Sequence, residues 1–431
     1  MSAGPDEGPA SRTDARNVPG TARDPSRQAP PTPVLRSAHA MADAADPVAE
    51  LVRGLGPEPM AAVFLFVSPA APFDGVVASA QAALAPARVI ACTTAGEISS
   101  EGYGEDTIVA VGLPATLFAV DTMLVDLDRI EQQELIGELI RTRSALAREA
   151  PLWPHEFAFL IVDGLSLKED ELTAALAPGL GPLPMFGGSS GDGTRFETTR
   201  IALDGQSHDN AAVLTVVRTA CPVRVFSLDH LRPTKRRMVV TRADPARRIV
   251  HGINGEPAAR EYARILGKDP EKLSPTTFAA HPVVVRIGAT HHVRSIQSVT
   301  DAGELVFFSA IDEGLVLNLA DAEPMTDHLD AGLTALGMEH GRAGPAFTPP
   351  DSILACDCML RRLEASEKQM GRAISEILRR HNVVGFSTYG EQLGAMHVNQ
   401  TMTGVAIFAP PADDGDDDSD AGSGPVPSRR R

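Results

Sequence analysis

Aromatic residues make up only 4% of the 431-residue chain: one Trp, three Tyr and fifteen Phe. The core must use most of those rings, which leaves little flat surface for clamping a large planar cofactor and counts against haem. Cysteine is scarcer still, at Cys92, Cys221, Cys356 and Cys358. One C-x-C pair among scattered thiols matches neither the C-x-x-C spacing of zinc sites nor a disulfide framework, so reduced, structural thiols are expected. No run of eighteen apolar residues occurs and mean hydropathy is −0.05, which argues against a membrane span. The N-terminal stretch also lacks the apolar segment of a secretory signal, so the expected location is the cytoplasm. Basic charge is in deficit: the formal net charge is −17 and only five residues are Lys. An acidic chain is a poor electrostatic partner for nucleic acid. Absent too are G-x-x-x-x-G-K-[ST], H-E-x-x-H and a Rossmann G-x-G-x-x-G after a strand, which removes the usual support for nucleotide and zinc-protease chemistry.

Both ends of the sequence look unable to fold. Residues 1–43 are rich in Pro, Ala, Arg, Ser and Asp and bury too little to offset ordering entropy, so a disordered leader is expected. Residues 411–431 hold six aspartates between Asp413 and Asp420 and end in a Gly-Ser-Pro-Arg mixture, the composition of a solvated acidic tail.

Between them a pattern recurs three times. In the first unit 62–67 is a strand, 74–85 a helix and 88–92 a strand, ending in Thr93-Thr94-Ala95-Gly96-Glu97. The second unit has a strand at 157–162, a helix at 168–178 and a step into Gly187-Gly188-Ser189-Ser190-Gly191-Asp192. In the third, a strand at 352–356 and one long helix at 361–380 lead through Val383-Val384 into Gly385-Phe386-Ser387-Thr388-Tyr389-Gly390-Glu391. Each unit is a strand-helix-strand that delivers a small hydroxyl-rich turn to one end of a sheet, where such turns could line a ligand pocket. Further strands are expected at 107–113, 200–203, 211–217, 238–241, 247–253, 283–287, 304–308 and 401–408. The fold class is therefore α/β, with mixed sheets built from repeated strand-helix-strand units and two domains, broken near 218–235.

The expected ligand contacts lie on these turns: Thr93, Thr94, Gly96 and Glu97; Gly188, Ser189 and Ser190; Ser387, Thr388, Tyr389 and Glu391. Asn399 and Gln400, after His397, complete the set. Gly187-Gly188-Ser189-Ser190-Gly191 satisfies G-x-S-x-G literally, yet residues 192–199 read as strand and not helix, against a nucleophile elbow. Glu97 and Glu391 occupy matching positions, and they either share a cleft for acid–base work or accept backbone amides of their own turns. His397 could bind a metal or haem iron through one nitrogen while Asn399 or Gln400 fixes the other; the alternative is a hydrogen-bonded core histidine. His291 and His292, adjacent on a strand, point to opposite faces and do not easily serve one site. Cys356 and Cys358 share a strand face, which suits a thiolate ligand or, more ordinarily, two small buried hydrophobes.

The set Cys92-Thr93-Thr94-Ala95-Gly96-Glu97-Ile98, Gly187 to Asp192, Gly385 to Glu391 and His397-Val398-Asn399-Gln400-Thr401 resembles the FIST family of sensory proteins (F-box and intracellular signal transduction), over about 45–410. Cys356-Asp357-Cys358-Met359-Leu360-Arg361-Arg362 with the Tyr-Gly-Glu turn and His-Val-Asn-Gln-Thr is similar to the bacterial subgroup that includes nitric-oxide-sensing haem proteins. The resemblance implies a FIST N-type domain over 44–225 and a FIST C-type domain over 226–410. It also implies a non-catalytic module that binds a small ligand and signals through a separate partner, a histidine kinase or a cyclic-di-GMP enzyme. Haem with His397 as axial ligand, sensing nitric oxide, is one option within it, and an amino acid is another. An enzyme using Glu97, Glu391 or Ser189, or a scaffold with an empty cleft, are the competing readings.

Overall fold

The computed structural model describes residues 33–288, 290–339 and 347–410. The expected tail at 411–431 and most of the expected leader lie outside the described residues. Residues 36–41, read from sequence as leader, form a strand, because Val34 and Leu35 anchor the chain in the core just before them.

The first repeat runs β1 (Arg36–Met41), α1 (Pro47–Leu55), β2 (Met60–Val67), α2 (Phe73–Leu84), β3 (Arg88–Thr93), a hairpin β4 (Glu97–Ser99) and β5 (Gly102–Gly104), and β6 (Thr107–Pro114). The second has the same order: β7 (Phe118–Asp126), α3 (Gln132–Glu149), β8 (His155–Val162), α4 (Glu169–Leu180), β9 (Met185–Ser189), β10 (Ile201–Leu203), β11 (Gln206–His208) and β12 (Ala211–Thr219). The third opens with β13 (Val223–Leu228) and is then interrupted by an inserted sheet domain. That insert comprises β14 (Leu231–Asp244), β15 (Ile249–Ile253), β16 (Glu256–Pro257), α5 (Ala258–Leu266), α6 (Pro275–Ala280), β17 (Val283–Ile287), β18 (Thr290–Arg294), β19 (Ile296–Val299), β20 (Leu305–Phe307) and β21 (Val316–Ala322). The repeat resumes with α7 (Met325–Thr334), the short pair β22 (Met338–Glu339) and β23 (Phe347–Thr348), β24 (Ser352–Cys358), α8 (Met359–Glu367), α9 (Gly371–Arg380), β25 (Val383–Thr388), β26 (Glu391–Leu393), β27 (Met396–Val398) and β28 (Met402–Ile407).

Each repeat builds one six-stranded sheet, and each sheet borrows its last two strands from another repeat. The orders are β1-β6-β2-β3-β10-β11, β7-β12-β8-β9-β26-β27 and β13-β28-β24-β25-β4-β5. The first hairpin therefore completes the third sheet, the third completes the second, and the second completes the first. The central pairs β2/β3, β8/β9 and β24/β25 are parallel; the other pairs in these sheets are antiparallel. The chain is a mixed α/β protein, as its repeats suggest.

Strand sequences explain the layers. β2 and β8 are nearly unbroken apolar runs because both faces are covered. Ala62, Phe64 and Phe66 join Phe157, Phe159, Ile161, Leu354 and Cys356 in one central core, while Val63, Leu65 and Val67 pack outward on α1 and α2. Phe64 meets Phe159 edge-on at 5.0 Å, and Phe66 stacks on Phe386 at 4.5 Å. The scarce aromatic residues thus serve largely as the filling between the sheets.

The helix expected over 361–380 is two helices. Gln369 adopts φ +55, and Met370 N–H closes on Ala365 C=O at 2.7 Å, a left-handed cap that ends α8 after its second turn. Among the described residues no helix is long and apolar enough to cross a membrane.

Gly385 in β25 has φ +151, and a Cβ there would sit 1.8 Å from the Ala355 carbonyl oxygen. Gly385→Ala should therefore cost about 4 kcal/mol or more, at the far end of single-residue effects. Recovery of soluble protein and the melting temperature by circular dichroism are the measurements.

Candidate functional site

The three hydroxyl-rich turns meet. Ala95 N–H donates to Ser387 C=O (2.9 Å), Gly191 N–H to Thr93 C=O (3.0 Å) and Tyr389 N–H to Ser189 C=O (3.2 Å), so the turns are linked head to tail in a closed ring. A second set runs round the ring the opposite way: Ser387 N–H to Gly96 C=O (2.7 Å), Ser189 N–H to Gly390 C=O (2.8 Å) and Thr93 N–H to Arg200 C=O (3.0 Å). Six backbone donors and six acceptors at these turns are thereby satisfied across the ring.

Glu97 and Glu391 play identical roles beside this ring. Glu391 accepts from the Thr388 hydroxyl (2.5 Å) and, ten residues on, from the Thr401 amide (3.2 Å) and hydroxyl (2.7 Å). Glu97 accepts from the Thr94 hydroxyl and from the Thr107 amide (3.3 Å) and hydroxyl (2.8 Å). Each carboxyl pins the strand that returns from its hairpin. Burial pushes the Glu391 carboxyl up to about 8, although its threonine donors pull the other way. Burial likewise raises Glu97, against Thr94, Thr107 and Arg362.

The second repeat departs from this pattern. Its longer turn lets Asp192 accept from the amides of Phe196 (2.8 Å), Glu197 (2.9 Å) and Thr198 (2.9 Å) and from the Tyr389 hydroxyl. Burial would raise the Asp192 carboxyl, but these donors outweigh it and hold it below the usual carboxylate range. The anchoring of the returning strand passes to Asp163, which accepts from the Asn210 amide (2.9 Å) and the Thr199 hydroxyl.

A cavity of about 480 Å³ opens between the first turn, the Asp192–Arg195 loop and the first turns of α8, a size suited to a small metabolite. Thr94, Gly96 and Glu97 line it, together with Ser68, Glu105, Asp106, Thr194, Arg195, Met359, Arg362, Leu363 and Ser366. Arg362 forms a fixed wall: it donates to the carbonyls of Glu97 (3.2 Å) and Gly104 and lies 4.8 Å over the Tyr103 ring. Gly96 has φ +132, which favours glycine, and it packs on that wall: a Cβ there would come within 2.5 Å of the guanidinium. Arg195 differs. It is exposed, only its Nε is engaged (Asp192 C=O, 3.1 Å), and among the described residues its two Nη atoms have no hydrogen bond or ion pair.

Of the residues expected from sequence to contact a ligand, Thr94, Gly96 and Glu97 face this cavity. Thr93 faces a smaller neighbour of about 300 Å³ that shares Pro69 and Arg195 with it. Gly188, Ser189, Ser190, Ser387, Thr388, Tyr389, Glu391, Asn399 and Gln400 are buried behind it. Gly188 is there for packing, because a Cβ would strike Thr388 and Cys356 at 2.5 and 2.8 Å. Tyr389 supports the loop from beneath, stacked on Phe196 at 4.4 Å. Sequence reasoning missed Arg195, Glu105, Asp106 and the α8 residues; the Leu360-Arg361-Arg362 stretch was the available signal for the last.

Residues 61–256 match the family described as the FIST N domain, and residues 258–393 the family described as the FIST C domain. The chain is a FIST protein, with the N and C domains in that order. No curated protein matches it. FIST domains are in general sensor modules of signal transduction, not a known catalytic fold. The boundary between the two FIST domains falls at β16, inside the insert, so the third repeat draws β13 from the N domain and β24 to β26 from the C domain.

Within this FIST chain His397 sits between the third hairpin and the insert, buried and held at both ring nitrogens. Gln392 Nε2 donates to the His397 Nδ1 (3.4 Å), and the His397 Nε2 donates to Phe308 C=O (3.2 Å). A Cβ on Gly390 would stand 2.3 Å from its Cε1. Burial lowers the His397 pKa, keeping the ring neutral. Among the described residues no group of three or more His, Cys, Asp or Glu could hold a metal ion. An axial haem ligand needs a free nitrogen and space for a porphyrin, so haem at His397 does not fit this arrangement. Around it Arg248 pairs with Glu169 and donates to Phe308 C=O (2.5 Å), Ser309 donates to Asn399 (2.7 Å), and Arg294 donates to His397 C=O (3.2 Å). Ser189, the candidate nucleophile, is sealed in the same network between Glu169 (3.2 Å) and Gln392 (3.0 Å).

Because Glu391 has a folded pKa of about 8 against an ordinary 4.5, its contribution to stability is complete below pH 4.5 and is lost as pH rises through 8. Glu391→Gln should remove that loss. Its melting temperature relative to wild type is expected to climb between about pH 5 and about pH 9, whereas parallel curves would contradict a buried neutral carboxyl.

Proposed function

We propose that this FIST protein is a sensor that binds a small zwitterionic metabolite, an amino acid being the simplest case, in the cavity beside Thr94 and Arg195. The observation that carries the reading is the charge layout of that cavity. On one side Arg195 presents uncommitted guanidinium nitrogens to a ligand carboxylate. On the other, Glu105 and Asp106 are exposed carboxylates able to meet an ammonium group. Apolar Met359, Leu363 and Ala95 between them suit a short side chain.

A sensor reading is favoured over an enzyme by what the polar side chains are already doing. Glu97 and Glu391 are committed to threonine donors, and Ser189 is buried between Glu169 and Gln392, so none is an activated group facing the cavity. The cavity also lies against α8, which abuts the hairpin of the first repeat, so occupancy could be felt by two repeats at once. Output would pass to a separate partner, a histidine kinase or a cyclic-di-GMP enzyme.

A thermal-shift screen of the amino acids tests this. A true ligand at one hundred times its dissociation constant should stabilise the fold by about 2.7 kcal/mol. Arg195→Ala should abolish that shift and leave the unliganded melting temperature in place, because its side chain is exposed. The proposal fails if no amino acid moves the transition, or if Arg195→Ala retains the full response.

A further inference from the structure

A second opening lies away from the proposed ligand cavity. At the opposite end of the sheets, where β2 and β8 begin, a groove of about 540 Å³ is lined by Phe118, Val120, Pro151, Leu152 and Trp153, with Glu149 as the one charged residue along it. Leu152 is 91% exposed, the most exposed large hydrophobic side chain among the described residues. Beside it Trp153 is half-buried, so the two side chains form one apolar rim on the turn before β8.

The chain's own C-terminal region leaves the fold beside it. Phe118 pairs with Thr219, Ala220 N–H donates to Leu117 C=O (3.2 Å), and Pro222 C=O accepts from Phe408 N–H (3.0 Å). At 3.8 Å per residue, this places the exit at 409–410 within about 20 Å of the groove. Residues 411–431 come next, and they hold two apolar stretches, Pro411-Ala412 and Pro425-Val426-Pro427. The first runs directly into the aspartates, which Glu149 repels. The second precedes Arg429, Arg430 and Arg431, which Glu149, without an ion pair among the described residues, attracts.

We propose that Pro425-Val426-Pro427 docks in cis on the Trp153 groove, with the three arginines after it toward Glu149. A proline-flanked segment is biased to polyproline II and loses little entropy against an indole and a proline ring. The fifteen residues from Pro410 to Pro425 have a root-mean-square span of about 20 Å when flexible, which matches the distance to be covered. The tether supplies an effective concentration in the millimolar range, so weak intrinsic affinity is enough.

Trp153 is the only tryptophan in the chain, so its fluorescence reads this groove alone. In the 431-residue chain, Pro425→Ser, Val426→Ser and Pro427→Ser combined should move the emission to longer wavelength and increase acrylamide quenching. A synthetic peptide of residues 421–431 should reverse both changes in that variant. Leu152→Ser, at an exposed position that supports no core, should keep the melting temperature and weaken the peptide's effect. Unchanged emission and quenching in the triple variant would overturn the proposal. So would a wild-type signal that varies with protein concentration, which would make a second copy the occupant.

Discussion

Six backbone hydrogen bonds, three in each sense, link the connections after β3, β9 and β25 into a ring, and the rest of the molecule is arranged so that this ring can close. Three carbonyl-amide steps of one geometry require three strand ends to converge, which requires the sheets to share a central core. That in turn forces each hairpin off its own sheet and onto a neighbour's edge, where it covers strand groups that would otherwise be exposed. The exchange makes the repeats mutually dependent. β4 cannot pair until β25 exists, although almost three hundred residues separate them, so the last repeat has to be in place before the first is complete.

Closing the ring brings acid side chains into a dry region, and the threonines explain how they are tolerated. Glu97 and Glu391 each sit among a hydroxyl in the turn and an amide and hydroxyl at the start of the next strand. Hydroxyls can donate to a carboxylate or accept from a carboxylic acid, so the cluster stays satisfied in either state of a group raised by burial. Asp192 is surrounded by three amides and a tyrosine hydroxyl that chiefly stabilise the charged form, and its carboxyl falls below the usual range. The same residue class at related turns therefore titrates in opposite directions because the donors differ.

Much of this was legible in the sequence, and the remainder has identifiable causes. The three repeats, their strand-helix-strand order and their polar ends come from alternating apolar runs, such as Phe64 and Phe66 against Val63 and Leu65, together with the small residues after them. The hairpin exchange was not readable, because β4, β10 and β26 are three residues each and carry no period long enough to reveal a partner. Glu97 and Glu391 were correctly matched, but whether they faced solvent depended on Thr107 and Thr401, ten residues away. Arg361 and Arg362 are neighbours with opposite fates: Arg361 is buried on Asp357 (2.8 Å) and His230 (3.0 Å), while Arg362 walls the cavity. Helical rotation of about 100° per residue separates them, and only the packing of α8 decides which way each turns.

The insert explains why the three related clefts of this scaffold differ in how open they are. Equivalent clefts lie wherever a borrowed hairpin meets the helix of the repeat that receives it. Between the third hairpin and α4 the cleft is filled by Arg248, Phe308 and Ser309 of the insert, joined to Glu169, His397 and Asn399. Between the second hairpin and α2 only the smaller opening near Arg200 remains. Between the first hairpin and α8 no described residue of the insert lines the cleft, which opens to solvent with Arg195 at its rim. His397 is thus better understood as part of the plug than as a ligand. A buried, neutral imidazole with both nitrogens engaged fixes the insert against the repeats, and the symmetry is left unfilled where the insert does not reach.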